Sequence, residues 1–110
     1  MITHFTAPKL LCQYKNNQLT GQVLEYYNNG KLYKKYYCCD GKLFGNFEEF
    51  YYNGKIMTLT YYYKGVLHGP YHCFYNNGSL LKNCFYDHGK LVGSYNLFFE
   101  DGRLWKSCEY

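Results

Sequence analysis

The side chains able to do chemistry in this chain are four histidines, eight acidic residues, six cysteines and a set of lysines, and their spacing decides what is open to them. His68 and His72 stand four residues apart, which on an extended strand is about 13 Å, too far to share a metal ion. Glu48 and Glu49 are neighbours and point to opposite faces of a strand, so they cannot work as a paired acid and base. No serine has the histidine and aspartate around it that an activated nucleophile needs. Cys38 and Cys39 also point to opposite faces. Cys12, Cys84 and Cys108 share one position of a repeating pattern; two strands separate adjacent copies, about 9.6 Å against the roughly 7 Å Cα separation that a disulfide spans. Cys73 and Cys84 are diagonal neighbours on one face and the one pair near reach, although packed thiols account for them more simply. This reading predicts no catalytic residue, no metal site and no cofactor, and therefore no enzyme.

The elements that position these residues come from a repeat. Gly21, Gly45, Gly69 and Gly93 stand 24 residues apart, as do Gly30, Gly54, Gly78 and Gly102, and then Gly41, Gly65 and Gly89; the three series use all 11 glycines. A fixed period of this length means one small unit stacked on its neighbours. Asn29-Gly30, Asn53-Gly54, Asn77-Gly78 and Asp101-Gly102 predict type I′ hairpin turns, which need positive φ at both central positions. Asp40-Gly41, Lys64-Gly65 and His88-Gly89 predict the second turn of each unit. Asn17 stands in for the glycine of an earlier fragment, because Asn tolerates positive φ. The runs between turns are rich in Tyr, Phe, Leu and Val and read as strands, and glycines interrupt every helical window. The predicted fold class is all-β, an elongated single-layer antiparallel β-meander of 24-residue hairpin repeats. Residues 1–8 are assigned to an N-terminal arm and 9–110 to the repeat domain, with a partial repeat over 9–20 and repeats over 21–44, 45–68, 69–92 and 93–110.

A two-residue loop at Asn77-Gly78 sets Tyr75 against Leu80, Cys73 against Lys82, Tyr71 against Cys84 and Gly69 against Tyr86. An aromatic ring across the ladder recovers part of the cost of a mid-strand glycine. The same pairing recurs as Gly45 with Tyr62 and Gly93 with Tyr110, while Cys38 takes the aromatic place in the first unit. Alternation then puts Leu43, Gly45, Phe47, Tyr51, Ile56 and Tyr62 on the main packing face. Phe44, Asn46, Glu48, Phe50, Met57, Leu59 and Tyr61 fall on the other, which carries its own aromatic row of Tyr26, Phe50, Phe74 and Phe98. Lys34 faces Glu25 across the ladder, an ion pair worth a few tenths of a kcal/mol, on the order of other exposed pairs.

Composition narrows the function classes. Aromatics make up 23% of 110 residues, 16 of them Tyr, which excludes intrinsic disorder. The net charge of +4 is almost wholly lysine, with Arg103 the only arginine, so nucleic acid is disfavoured as a partner. Tyr and Lys interleave as on single-strand nucleic-acid platforms, but repeat position is a sufficient cause. No apolar run approaches the roughly 18 residues of a membrane span, and residues 1–8 have neither the basic leader nor the apolar core of a signal peptide. The expected localisation is intracellular, in host cytoplasm or virion for a viral source, with the cysteines reduced and any membrane association peripheral.

Tyr-Tyr-Asn-Asn-Gly-Lys-Leu from Tyr26, Phe-Tyr-Tyr-Asn-Gly-Lys-Ile from Phe50 and Leu-His-Gly-Pro-Tyr from Leu67 carry a family likeness. Over residues 14–110 the chain resembles the variant form of the MORN repeat, known for a Tyr/Phe-Asp/Asn-Gly-Lys turn followed by a His-Gly-x-aromatic step. The resemblance implies an elongated, twisted meander with one hairpin per repeat, no shared catalytic activity, and a role as scaffold or protein-interaction module. Some members of that family are linked to membranes or phosphoinositides, some variant-form members are described as antitoxins, and large DNA viruses encode many. Nine strands at about 4.8 Å each would make a sheet roughly 40 Å long.

Lys31, Lys55 and Arg103 each follow the first turn of a repeat and would line one long edge, open to an acidic partner or lipid headgroup, and equally explained as solvation of the hairpin ends. Arg103 to Tyr110 reads as a terminal strand containing Trp105, whose outer edge invites strand addition. The candidate interaction residues are therefore Trp105, Tyr110, Phe50, Phe74, Phe98, Lys31, Lys55 and Arg103. The sequence points to a non-enzymatic β-repeat scaffold for protein–protein interaction, a structural component of a larger assembly such as a viral capsid. Its partners would be other proteins or further copies of itself, meeting its sheet edges and aromatic faces. The alternatives are an antitoxin- or inhibitor-type binding protein and a membrane- or phosphoinositide-associated adaptor.

Overall fold

The computed structural model describes residues 9–15 and 18–110. The N-terminal arm at 1–8 and the Asn17 turn lie outside the described residues, as does the side chain of Cys12. The strands run in chain order: β1 Lys9–Lys15, β2 Gln18–Tyr26, β3 Leu32–Cys39, β4 Lys42–Leu43, β5 Gly45–Phe50, β6 Ile56–Tyr63, β7 Val66–Leu67, β8 Gly69–Phe74, β9 Leu80–Asp87, β10 Lys90–Phe98 and β11 Leu104–Glu109. Every pairing is antiparallel and every strand belongs to one sheet. β4 pairs with β3 and β7 with β6, as short leads into β5 and β8, so the sheet is nine strands wide. It is an all-β, open, single-layer meander without a helix among the described residues, and its extents are 45 × 34 × 17 Å.

The first turn of each repeat departs from the type I′ geometry expected of it. At Asn77-Gly78, Tyr75 N–H donates to the Ser79 carbonyl at 2.8 Å and Gly78 N–H to the Tyr75 carbonyl at 2.9 Å. Positive φ is confined to Gly78, at 96°. This is a three-residue loop, a type I turn closed by a glycine bulge, rather than type I′. The same bonds recur at Tyr27, Tyr51 and Phe99. Type I′ geometry belongs instead to the second turn: Asp40, Lys64 and His88 have φ of 51°, 50° and 49°, each followed by a glycine that is also positive. Their loops are two residues long, closed by Cys39 with Lys42, Tyr63 with Val66 and Asp87 with Lys90.

The longer first loop changes the local register. Gly69 pairs with Tyr86, Tyr71 with Cys84 and Cys73 with Lys82, as alternation requires, but Phe74 rather than Tyr75 faces Leu80. One extra residue is accommodated beside the turn in each repeat. A one-residue bulge reverses the facing of what it displaces. Ile56 consequently opposes Phe50 on the second face, while Met57 lines the first face beside Tyr27 and Tyr51. Near the other turn two residues are gained at once: β3 meets β4 at Cys38 with Leu43, but meets β5 at Lys35 with Glu48. A shift of two leaves side chains on their own faces. The mid-strand glycines sit in this offset; Gly69, with φ of 116°, holds a conformation that side chains rarely adopt. Backbone geometry therefore demands glycine there, beyond any cover from the ring of Tyr86.

Burial is one-sided. Among the described residues, Val23, Tyr27, Cys38, Thr58, Thr60 and Cys84 are the buried side chains, and their register puts them on the face of Phe47, Tyr71 and Tyr95. Rings on this face meet at 5.5 Å (Tyr36 with Phe47, Phe47 with Tyr62) and at 5.7 Å (Tyr71 with Tyr86). Thr60 satisfies its hydroxyl on the Pro70 carbonyl at 3.1 Å. Glu25 and Lys34 are cross-strand partners, but no ion pair forms between them: Glu25 accepts the Tyr36 hydroxyl at 2.7 Å and the Lys34 ammonium lies 5.1 Å from the Tyr33 ring centre.

Candidate functional site

Between repeats, strand pairing ends one residue short of the first turn: Glu49 pairs with Lys34, Cys73 with Thr58 and Leu97 with Lys82. The carbonyls of Phe50, Phe74 and Phe98 would then lack a strand partner. Tyrosine hydroxyls of the preceding repeat supply one: Tyr27 to Phe50 at 2.6 Å, Tyr51 to Phe74 at 2.7 Å and Tyr75 to Phe98 at 2.7 Å. Burial pushes the Tyr27 hydroxyl pKa up to about 12, with Tyr33, Glu49 and Tyr51 adding to the effect. Burial also raises Tyr51, Tyr62 and Tyr86, and it raises Tyr71 further with help from Cys73. The sequence signal for this ladder is a tyrosine every 24 residues, Tyr27, Tyr51 and Tyr75, replaced at Phe99 by a ring without a hydroxyl. Phe50, Phe74 and Phe98, read as an aromatic binding row, are half-buried and contribute their carbonyls to this ladder.

The same edge carries a second, outer set of bonds. Asn29, Asn53, Asn77 and Asp101 each accept, through Oδ1, the N–H two residues on. Asn53 also donates to the Asn76 carbonyl of the next repeat at 2.9 Å. Lys31 and Lys55 are exposed, and their side chains lie about 3.9 Å from the Cβ position over Gly54 and Gly78 of the next turn. The expected basic line breaks beyond them, where Ser79 takes the lysine position and donates to the Glu100 carbonyl at 2.9 Å. Arg103 is held by Asp101 at 2.7 Å, whose carboxyl is lowered from its usual range by the backbone and side-chain bonds from Arg103.

Apolar exposure is concentrated at the last strand. Leu104, Trp105 and Tyr110 are 56%, 59% and 64% exposed. The Trp105 ring lies 5.8 Å from the Phe99 ring, and the Arg103 guanidinium is 5.1 Å from the centre of the Phe99 ring. β11 pairs with β10 alone among the described residues. The second face adds exposed Tyr37, Leu59, Phe85 and Val92, and an open depression of about 530 Å³ over Glu48, Leu59, Tyr61, Pro70 and His72. Cys39, Cys73, Cys84 and Cys108 are free thiols, and burial raises the Cys84 pKa.

At the opposite turn edge the structure assembles residues that the spacing of His68 and His72 did not bring together. His68, placed with His72 by sequence, instead meets Asp87 and His88 of the next repeat. His88 N–H donates to His68 Nδ1 at 3.1 Å, His88 Nδ1 lies 2.6 Å from Asp87 Oδ1, and His68 Nδ1 lies 3.6 Å from the same oxygen. One ligand atom from each residue falls within 4.8 Å of the others. A signal for this contact existed in the repeat itself: Thr20, Phe44, His68 and Val92 share a position, and Thr20 Oγ1 accepts Asp40 N–H at 3.1 Å as His68 accepts that of His88.

Comparison with known proteins finds no matching family model, no matching curated protein and no matching solved structure. The class of protein defined here is thus a structural one, an open single-layer sheet of repeated hairpins. No helix among the described residues is long and apolar enough to cross a membrane.

Proposed function

We propose that this chain is a non-enzymatic scaffold of MORN-variant type that binds other proteins by strand addition at β11, within a larger assembly. The observation that carries this reading is the edge of β11, which pairs with β10 alone among the described residues, with Leu104 and Trp105 exposed along it and Tyr110 at its end. An extended partner segment gains a backbone ladder there and places its apolar side chains against those rings. Between the repeats the polar groups of the sheet are used, as in the tyrosine ladder.

The test is affinity purification from the native source with the wild-type chain and with Trp105→Glu combined with Leu104→Glu. Defined protein partners retained by the wild type and lost by the variant support the reading. Flotation with acidic vesicles that weakens with salt, without a protein partner, would favour the lipid adaptor and overturn it. Light scattering separates the remaining alternative: a small stoichiometric complex with a single toxin-like partner fits an inhibitor rather than an assembly component.

A further inference from the structure

We infer that His68, Asp87 and His88 form a binding site for a borderline divalent cation of the zinc, copper or nickel class, which clips the repeat over 45–68 to the repeat over 69–92. Two imidazoles and one carboxylate are the ligand set such ions select over magnesium or calcium. The geometry is close to what coordination at about 2.0–2.2 Å requires: Asp87 Oδ1 lies 2.6 Å from His88 Nδ1 and 3.6 Å from His68 Nδ1. The two imidazole centres are 4.6 Å apart with planes inclined at 58°, and one ligand atom from each of the three residues lies within 4.8 Å of the others.

Two features of the backbone place the ligands. His88 sits at the first central position of a type I′ turn with φ of 49°, a conformation that costs a histidine stability and that Asn or Gly would hold more easily. That turn is docked on the preceding repeat, where Gly89 N–H donates to the Leu67 carbonyl at 2.7 Å, so His68 is carried to within reach of it. A bound cation takes the place of the proton between His88 Nδ1 and Asp87 Oδ1, and the neutral ring then carries its N–H on Nε2, which the exposed turn leaves open to water. The cation also takes the His68 Nδ1 lone pair, and the His88 main-chain N–H freed by this turns to water at the exposed turn. The side chains of His68, Asp87 and His88 are 36%, 55% and 70% exposed, leaving room for water or a partner's side chain in the remaining coordination positions.

The test uses two substitutions that spare the fold. His88→Asn keeps a residue suited to positive φ, and His68→Thr installs the side chain that does the same docking job at Thr20. Zinc titrated calorimetrically into the full chain should bind one to one and raise the melting temperature. Each substitution should weaken binding by about ten-fold or more and abolish the thermal shift while leaving the β-type circular dichroism intact. Cobalt substitution reads the ligand type: visible d–d bands without a thiolate-to-cobalt charge-transfer band are expected. Charge-transfer absorption that survives His68→Thr would assign the ion to the cysteines, and unchanged zinc affinity in both variants would remove the site; either result overturns the proposal. This site does not depend on strand addition at β11, so a failure of either leaves the other standing.

Discussion

The two long edges of the sheet are built from the same repeat yet solve different problems. At the first-turn edge, a three-residue loop with a glycine bulge splays each hairpin from the one before it. Tyr27, Tyr51 and Tyr75 bridge the gap with hydroxyls bonded to the carbonyls beyond. At the second-turn edge, a two-residue type I′ loop folds back on the preceding repeat, and main-chain bonds such as Gly65 N–H to the Leu43 carbonyl, 2.8 Å, hold it there. One edge depends on side chains that only Tyr can supply; the other depends on backbone conformation and leaves its side chains free to vary, as Thr20, Phe44, His68 and Val92 do. An edge whose side chains are not needed for stacking is where a repeat protein has room for a ligand.

The comparison breaks most readily at Gly69, beside the second-turn edge. Its φ of 116° and the Tyr61 Cβ at 3.6 Å from an added Cβ predict that Gly69→Val costs about 3 kcal/mol, read as the shift in denaturant midpoint. A cost under about 1 kcal/mol would mean that backbone conformation does not govern that edge. The first-turn edge should respond to Tyr51→Phe, which strands the Phe74 carbonyl and should cost about 1.5 kcal/mol. Tyr27 adds a pH signature. Its folded pKa of about 12 lies above the ordinary 10.0, so its contribution is complete below pH 10 and disappears as pH rises toward 12. Chemical denaturation across that window should show falling stability, with a shallower fall in Tyr27→Phe. Asn53→Ala, which loses the bonds to Lys55 N–H and to the Asn76 carbonyl, should cost about 1 kcal/mol. Smallest and of opposite sign, Lys64→Asn should stabilise by about 0.5 kcal/mol, because Asn fits φ of 50° better than Lys does. A thermal melt that moves down instead would show the Lys64 contact with Tyr63, 5.5 Å from ammonium to ring centre, to be worth more than the turn.

Much of the sheet was legible because its causes are local. Glycine spacing located both turns, and alternation paired Gly45 with Tyr62 and Gly69 with Tyr86. The choice of the more buried face also followed from alternation, since Val23, Cys38, Thr60 and Cys84 share it. Asn-Gly misled on turn type because that dipeptide suits a type I turn with a glycine bulge as well as type I′. The loop choice then displaced Ile56 and Met57 across the sheet, which alternation alone could not anticipate. Of the candidate residues, Trp105 and Tyr110 are openly exposed, whereas Arg103 is engaged by Asp101.

What the sequence determined by itself is the period, the meander and the side of the sheet that is buried, since each follows from side-chain alternation and from glycines placed where chirality penalises other residues. Tertiary structure alone decided which residues of successive repeats touch. A two-residue offset between neighbouring hairpins sets Tyr51 under the Phe74 carbonyl and His68 against His88. Contacts of this kind join positions 20 or 23 residues apart rather than the repeat length of 24, so they arise from how the hairpins lean on one another and not from the period written in the chain.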